Sequence, residues 1–188
     1  FEDPESSRWL LYESGSVTFS SMAKRLGPLL RALWRAAPPM REPPLTATDQ
    51  AKRRSSFDHG VIRMPTSFPG FHGAYAEDLY RACTAHIGAH IHYSGPRFPV
   101  RKLKPIQIAV ISLLEDARVE SLAMHEFPGL KRLWLPLHVA QTPSSLSPNN
   151  ALMAPNMLAR LARALIDPDF EDFDGWVMKA KTEFFNRE

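Results

Sequence analysis

Residues 105–126, PIQIAVISLLEDARVESLAMHE, decide the fold class. Proline at the first position suits a helix start, where its missing amide hydrogen has no intrahelical acceptor to lose, and Pro128-Gly129 closes the stretch. Between these ends Ile106, Ile108, Val110, Ile111, Leu113, Leu114, Val119 and Leu122 lack the alternation of a strand and cover most of a helical circumference. A helix apolar on so many sides is expected to be buried. The same stretch holds Glu115, Asp116, Arg118 and Glu120. Ionisable groups inside a fold need partners, so this helix is expected to face the other long helix of the chain through these side chains.

Working outward, residues 74–92 predict a second long helix, with Leu79, Cys83, His86 and His90 recurring at steps of four, three and four on one face turned toward the core. Gly95-Pro96 ends it. Downstream, Gln141 to Asn150 reads as a Pro/Ser/Asn loop. It is followed by a helix from about Pro155 through Leu158, Leu161 and Leu165 to Asp167-Pro168, and by another from about Asp174 through Trp176, Val177, Ala180 and Phe184. Upstream, Ser20 or Ser21 caps a helix with Met22, Leu26, Leu29, Leu30, Leu33 and Trp34 on one face, ended by Pro38-Pro39. Pro28 inside it predicts a kink or a late start. Trp9 to Phe19 suits short extended segments, Val61 to Met64 is an extended piece, and Phe68-Pro69-Gly70 is a turn. Pro38 to Ser56, with two Pro-Pro pairs and the run Lys52, Arg53, Arg54, reads as a solvated connection. The expected architecture is mainly α: a compact helical domain of about five helices with short extended segments near the N-terminus. An N-terminal arm spans 1–58 and a helical core domain 59–188.

Composition narrows the function classes. Of the 188 residues 44% are hydrophobic and 23% charged, which fits a globular chain able to bury a core and not a disordered one. The net charge of +3, with lysines and arginines spread among 20 acids, argues against nucleic acid as a partner. The single cysteine, Cys83, excludes an internal disulfide and suits a cytoplasmic setting. The longest apolar run, Ile106 to Leu114, is interrupted by Gln107 and Ser112, so no membrane span is expected. Phe1 in place of Met is read as a start inside a longer gene product or after a disordered leader, and the first 15 residues lack the basic and apolar regions of a secretory signal.

The residues that carry chemistry sit on the two central helices. His86 and His90 are expected to meet Glu115, Asp116 and Glu120 inside the fold, and two readings follow. In the first, His86-x-x-x-His90 supplies two nitrogen ligands to a divalent metal such as zinc. A carboxylate from Glu115, Asp116 or Glu120 supplies a third, and another orients a histidine. In the second, the same groups form a salt-bridged polar core without metal, with Arg118 as the main counter-charge. A zinc peptidase needs a glutamate directly after the first histidine as general base, and Ile87 stands there, so the metal reading is at most a degenerate metallopeptidase-like site. No catalytic residue is assigned. Cys83 reads as an inert core-face thiol; His92, His125 and His138 read as surface or capping residues; Trp134 and the aromatic tail from Trp176 read as packing. No phosphate-cradling glycine loop occurs.

Three segments together resemble the NorD/CbbO family: Ala85-His86-Ile87-Gly88-Ala89-His90, Leu103-Lys104-Pro105-Ile106-Gln107, and Leu114-Glu115-Asp116-Ala117-Arg118-Val119-Glu120-Ser121-Leu122-Ala123. The likeness extends through Phe127-Pro128-Gly129-Leu130 and Leu133-Trp134, is echoed in Leu158 to Leu165 and in Trp176-Val177 with Lys179, and covers roughly residues 60 to 185. The resemblance implies a non-catalytic adaptor region, cytoplasmic, followed downstream by a von Willebrand factor A domain. It also implies a hexameric MoxR-type AAA+ ATPase as partner. The implied target is nitric oxide reductase, during metal-centre assembly, or Rubisco, during its activation.

Overall fold

A computed structural model describes residues 16–35, 38–44, 46–48, 53–95, 99, 102–138 and 153–186. The fold is mainly α, with six helices among the described residues and one small sheet. Two compact units divide the chain, Phe1–His92 and Tyr93–Glu188. This grouping differs from an arm over 1–58 and a core over 59–188.

In the first unit, helix α1 spans Phe19–Trp34. Its cap is Thr18, two or three residues earlier than the expected serines: the Thr18 hydroxyl accepts from the Ser21 amide at 3.3 Å. The helix continues through Pro28 and ends at Arg35, a non-glycine residue in the left-handed region at φ 57°. Strands β1 (Met40–Arg41), β2 (Ser56–Asp58) and β3 (Val61–Arg63) form a sheet in the order β1-β3-β2, with β1 parallel and β2 antiparallel to β3. His59 and Gly60, both at positive φ, make the two-residue turn whose twist suits a β-hairpin. Met40–Arg41 lies inside the stretch read as a solvated connection and is instead a paired strand; two residues are too few to show periodicity. The pairing of β3 with β1 and β2 places residues 61–63 with what precedes them. The expected segments from Trp9 to Ser14 fall outside the described residues, as do Pro96, Lys52 and the loop Gln141 to Asn150.

Helix α2 spans Gly73–Tyr93. Its fully buried face is made of Ala76, Tyr80, Ala82, Thr84, Ala85, Ile87, Gly88 and Ala89, whereas Leu79, Cys83, His86 and His90 are only half-buried. The stripe expected to point at the core is therefore the flank of the buried face. Small residues allow close approach. A Cβ built on Gly88 would lie 2.3 Å from Trp34 Cζ3 and 2.6 Å from Leu30 Cδ2, so the α1 side chains occupy the space that a larger residue would need. Tyr80 fixes the other end of the unit: its hydroxyl donates to the Pro65 and Thr66 carbonyls, each at 2.9 Å, and its ring meets Phe68 edge-on at 4.7 Å. The Phe19 amide donates to the same Thr66 carbonyl. Met22, Leu26, Leu30, Ile62 and Met64 complete this core.

In the second unit, α3 spans Pro105–Glu126, the range the sequence predicts. Its burial is not as expected. Ile106 and Leu122 are exposed, and only Ala117, Val119, Glu120 and Ala123 are buried. An apolar circumference requires partners on every side; among the described residues Leu113, Leu114 and Ala117 pack into the core built around Leu161, Leu165 and Val177, while Ile106 and Leu122 remain exposed. Phe127-Pro128 leads into a short helix that sequence reading missed, α4 (Gly129–Trp134), followed by a 3-10 turn at Leu135–Leu137. Helix α5 spans Met153–Ile166 and α6 spans Gly175–Phe185, the latter capped by Asp174, whose carboxylate accepts from the Trp176 and Val177 amides. The apolar core joins Ala117 of α3, Leu161, Ala164, Leu165 and Ile166 of α5, and Val177 of α6.

Candidate functional site

The sequence-predicted residues fall in both units. In the first, His86 and His90 lie one turn apart on α2, half-buried, with ring centroids 4.7 Å apart and planes at 74°. The i,i+4 spacing produces this juxtaposition, because side chains four apart stand one above the other on a helix. Ile87, where a peptidase would carry its general base, is a buried apolar side chain.

In the second unit, Glu115 and Glu120 of α3 are each bonded to a neighbouring side chain. Glu115 meets Arg118 in a two-pronged pair, with Arg118 Nε donating to Oε2 and Nη2 to Oε1, both at 2.8 Å. The Ser94 hydroxyl also donates to Glu115 Oε1, at 2.7 Å, and Arg118 Nη2 reaches the Tyr93 carbonyl at 3.0 Å. Hydrogen bonding to Glu115 pushes the Arg118 guanidinium above its ordinary value, and the carboxylate charge adds to this against a lowering by burial. This cluster ties Tyr93-Ser94 to the middle of α3. Glu120 is buried at 4% exposure and bonds His138 Nε2 at 3.1 Å. His138 is thus the partner of a buried acid, not the surface or capping residue that its loop position suggested. Asp116 sits half-buried on α3. The expected union of the histidines with these carboxylates joins residues of different units and is taken up as a proposal below.

Two arginines of α5 were not singled out as functional by sequence reading. Arg160 is buried and holds Asp172 in a two-pronged pair, Nε to Oδ2 at 2.7 Å and Nη2 to Oδ1 at 2.5 Å, with Asp174 at 3.6 Å from Nη1. Burial works against ionisation of Asp172, but Arg160, the Asp174 amide and the guanidinium charge outweigh it and hold the carboxyl below its ordinary range. Arg163 pairs with Asp167 at 2.6 Å and donates to the Leu135 carbonyl, which fastens the 3-10 turn to α5. A signal for these pairs existed in the sequence: Asp167, Asp169, Glu171, Asp172 and Asp174 follow directly on a helix that carries two arginines.

Cys83 offers no reactive thiol. Burial pushes it above its ordinary value, with a smaller opposing effect from a hydrogen bond to Ser55. Trp134 is buried at 2% exposure and acts as packing, whereas Trp176 is 42% exposed. Among the described residues no helix is long and apolar enough to cross a membrane. Comparison with protein families, with curated proteins and with solved structures finds no match to this chain.

Proposed function

We propose that this chain is the adaptor region of a NorD/CbbO-type activation protein, acting in the cytoplasm with a hexameric MoxR-type AAA+ ATPase to activate or mature a target enzyme. The targets in this reading are nitric oxide reductase, at the stage of metal-centre assembly, and Rubisco. The observation that carries it is the state of the Glu115-to-Glu120 segment, the most specific part of the family likeness. Glu115 and Glu120 are bonded to Arg118 and His138, which supports a bracing role for them over an acid–base one. In this reading the segment holds helices together and the domain works by docking. The experiment is co-purification: the tagged chain is mixed with an assembled MoxR-type ATPase and with the target, and retention of either supports the reading. Retention of neither removes it.

A second reading is favoured by the His86–His90 pair. It makes the domain a divalent-metal binder with a degenerate zinc-peptidase-like site, two imidazoles as ligands and a third ligand among Glu115, Asp116 and Glu120. Glu115 would first have to release Arg118. Elemental analysis of the purified chain with His90→Ala alongside tests it. Stoichiometric zinc lost in the variant supports it, and metal below about a tenth of an equivalent removes it.

A further inference from the structure

Between the helices of the second unit lies a cavity of about 430 Å³. Small-molecule sites typically span about 300–1,000 Å³. The walls follow from helical spacing. Val110, Leu114 and Arg118 recur at steps of four on α3, and Trp176, Ala180 and Phe184 at steps of four on α6, so each set shares one face. Leu161 of α5, itself buried, lines the cavity as well. Ala180 keeps the space open: its methyl stands one turn from each aromatic side chain, where a longer residue would fill the gap.

The charged groups on this lining give it a sign. Arg118 is neutralised by Glu115, and its Nη2 is further engaged with the Tyr93 carbonyl. Glu183 of α6 is exposed, and among the described residues its carboxylate has no hydrogen-bonding or ionic partner. Lys179 and Lys181 of the same helix do not line the cavity. The site therefore offers one negative charge beside an apolar surface. Trp176 adds an exposed indole against which a second ring can pack.

We propose that this cavity binds a small organic cation, an aromatic amine whose ammonium pairs with Glu183 and whose ring packs against Trp176. Seven residues of helix separate the two by about 10 Å, which a ring and an ammonium joined by a short alkyl chain span. An apolar carboxylate is disfavoured, because Glu183 repels it and Arg118 is already paired. An extended peptide is disfavoured too, because the walls are helices whose backbone groups bond within them. Such binding does not depend on the identity of the ATPase partner.

The test is a titration of the full chain with phenylbutylamine followed by ligand-observed NMR, with phenylbutanol and phenylbutanoate as the neutral and anionic counterparts. The amine is expected to bind with a Kd of about a millimolar or tighter. The alcohol should bind about 1.5- to 5-fold more weakly, the range for one exposed ion pair, and the carboxylate more weakly still. Glu183→Gln should bring the amine to the affinity of the alcohol and leave the alcohol unchanged. Trp176→Ala, at an exposed position, should weaken both, and Glu171→Gln, an exposed acid off the lining, should weaken neither. Circular dichroism checks that each variant keeps its helices. No binding at about 10 mM amine overturns the proposal, as does a carboxylate that binds more tightly than the amine. So does an amine affinity that Glu183→Gln and Trp176→Ala both leave unchanged. A lysine-containing apolar peptide that binds more tightly than the amine, and is lost with the same substitutions, overturns small-molecule occupancy.

Discussion

Replacing Gly88 by alanine ordinarily stabilises a helix, by about 1 kcal/mol from intrinsic propensity. Here the opposite is expected. The new methyl would lie 2.3 Å and 2.5 Å from two carbons of the Trp34 ring and 2.6 Å from Leu30 Cδ2. Trp34 and Leu30 are 8% and 1% exposed, so neither can swing into solvent, and α1 must shift by about an ångström to restore contact distance. Overpacking of this kind costs about 1–3 kcal/mol. With three contacts inside 3.0 Å the upper end applies, and subtracting the propensity gain leaves a net loss of about 2 kcal/mol, or roughly 4–8 °C in the thermal midpoint of a chain this size. Gly27→Ala is the internal control. It too lies inside a helix, but its methyl would meet only Arg31 Nη2 at 3.7 Å, so it should gain part or all of the propensity term. Thermal unfolding followed by circular dichroism reads both, and Gly88→Ala combined with Trp34→Leu should recover part of the loss. A Gly88→Ala midpoint equal to or above the parent refutes the close α1–α2 approach.

Other consequences follow from the polar contacts. Asp172→Ala leaves Arg160 buried with only Asp174 nearby and should cost about 3 kcal/mol, at the lower end for a broken buried pair, measured by urea unfolding. The same pair sets a pH dependence. Because the folded carboxyl lies below its ordinary value, its stabilisation is complete above about pH 4, the unfolded value, and is lost as pH falls through the folded one; Asp172→Asn should flatten this acid limb. Tyr80→Phe leaves the Pro65 and Thr66 carbonyls without their hydroxyl donor, and a loss of about 1–2 kcal/mol is expected by the same measurement. Thr18→Ala removes the α1 cap and should cost about 1 kcal/mol, with earlier loss of helical signal on heating.

Long elements were legible in the sequence because breakers and caps bound them. Pro105 and Pro128-Gly129 fix α3, and Asp174 fixes the start of α6. Burial was less legible. A search for large apolar residues selects Leu79 and Cys83 on α2, whereas the buried face is mostly Ala, Gly and Thr with Tyr80 and Ile87, and Gly88 admits Trp34 at close range, a fact set by the partner helix and not by α2 itself. In α3 the apolar circumference was plain, but which of its residues are covered depends on the placement of α5 and α6. Met40–Arg41 is recognisable as a strand only through its partner β3, more than 20 residues away. The charged residues of α3 were found and those of α5 were not, and the pairings were found only in part. Arg118 with Glu115 follows from i,i+3 spacing, while His138 with Glu120 and Arg160 with Asp172 depend on loops that return to the helices.

In the proposed function the chain docks onto the ATPase and carries no catalysis of its own. The most direct measurement of that docking is size-exclusion chromatography with light scattering on the chain mixed with an assembled MoxR-type ATPase hexamer in ATP. The account predicts a complex heavier than the hexamer that contains both proteins. Separate elution of the two at concentrations of tens of micromolar, together with failure to retain nitric oxide reductase or Rubisco, would contradict it.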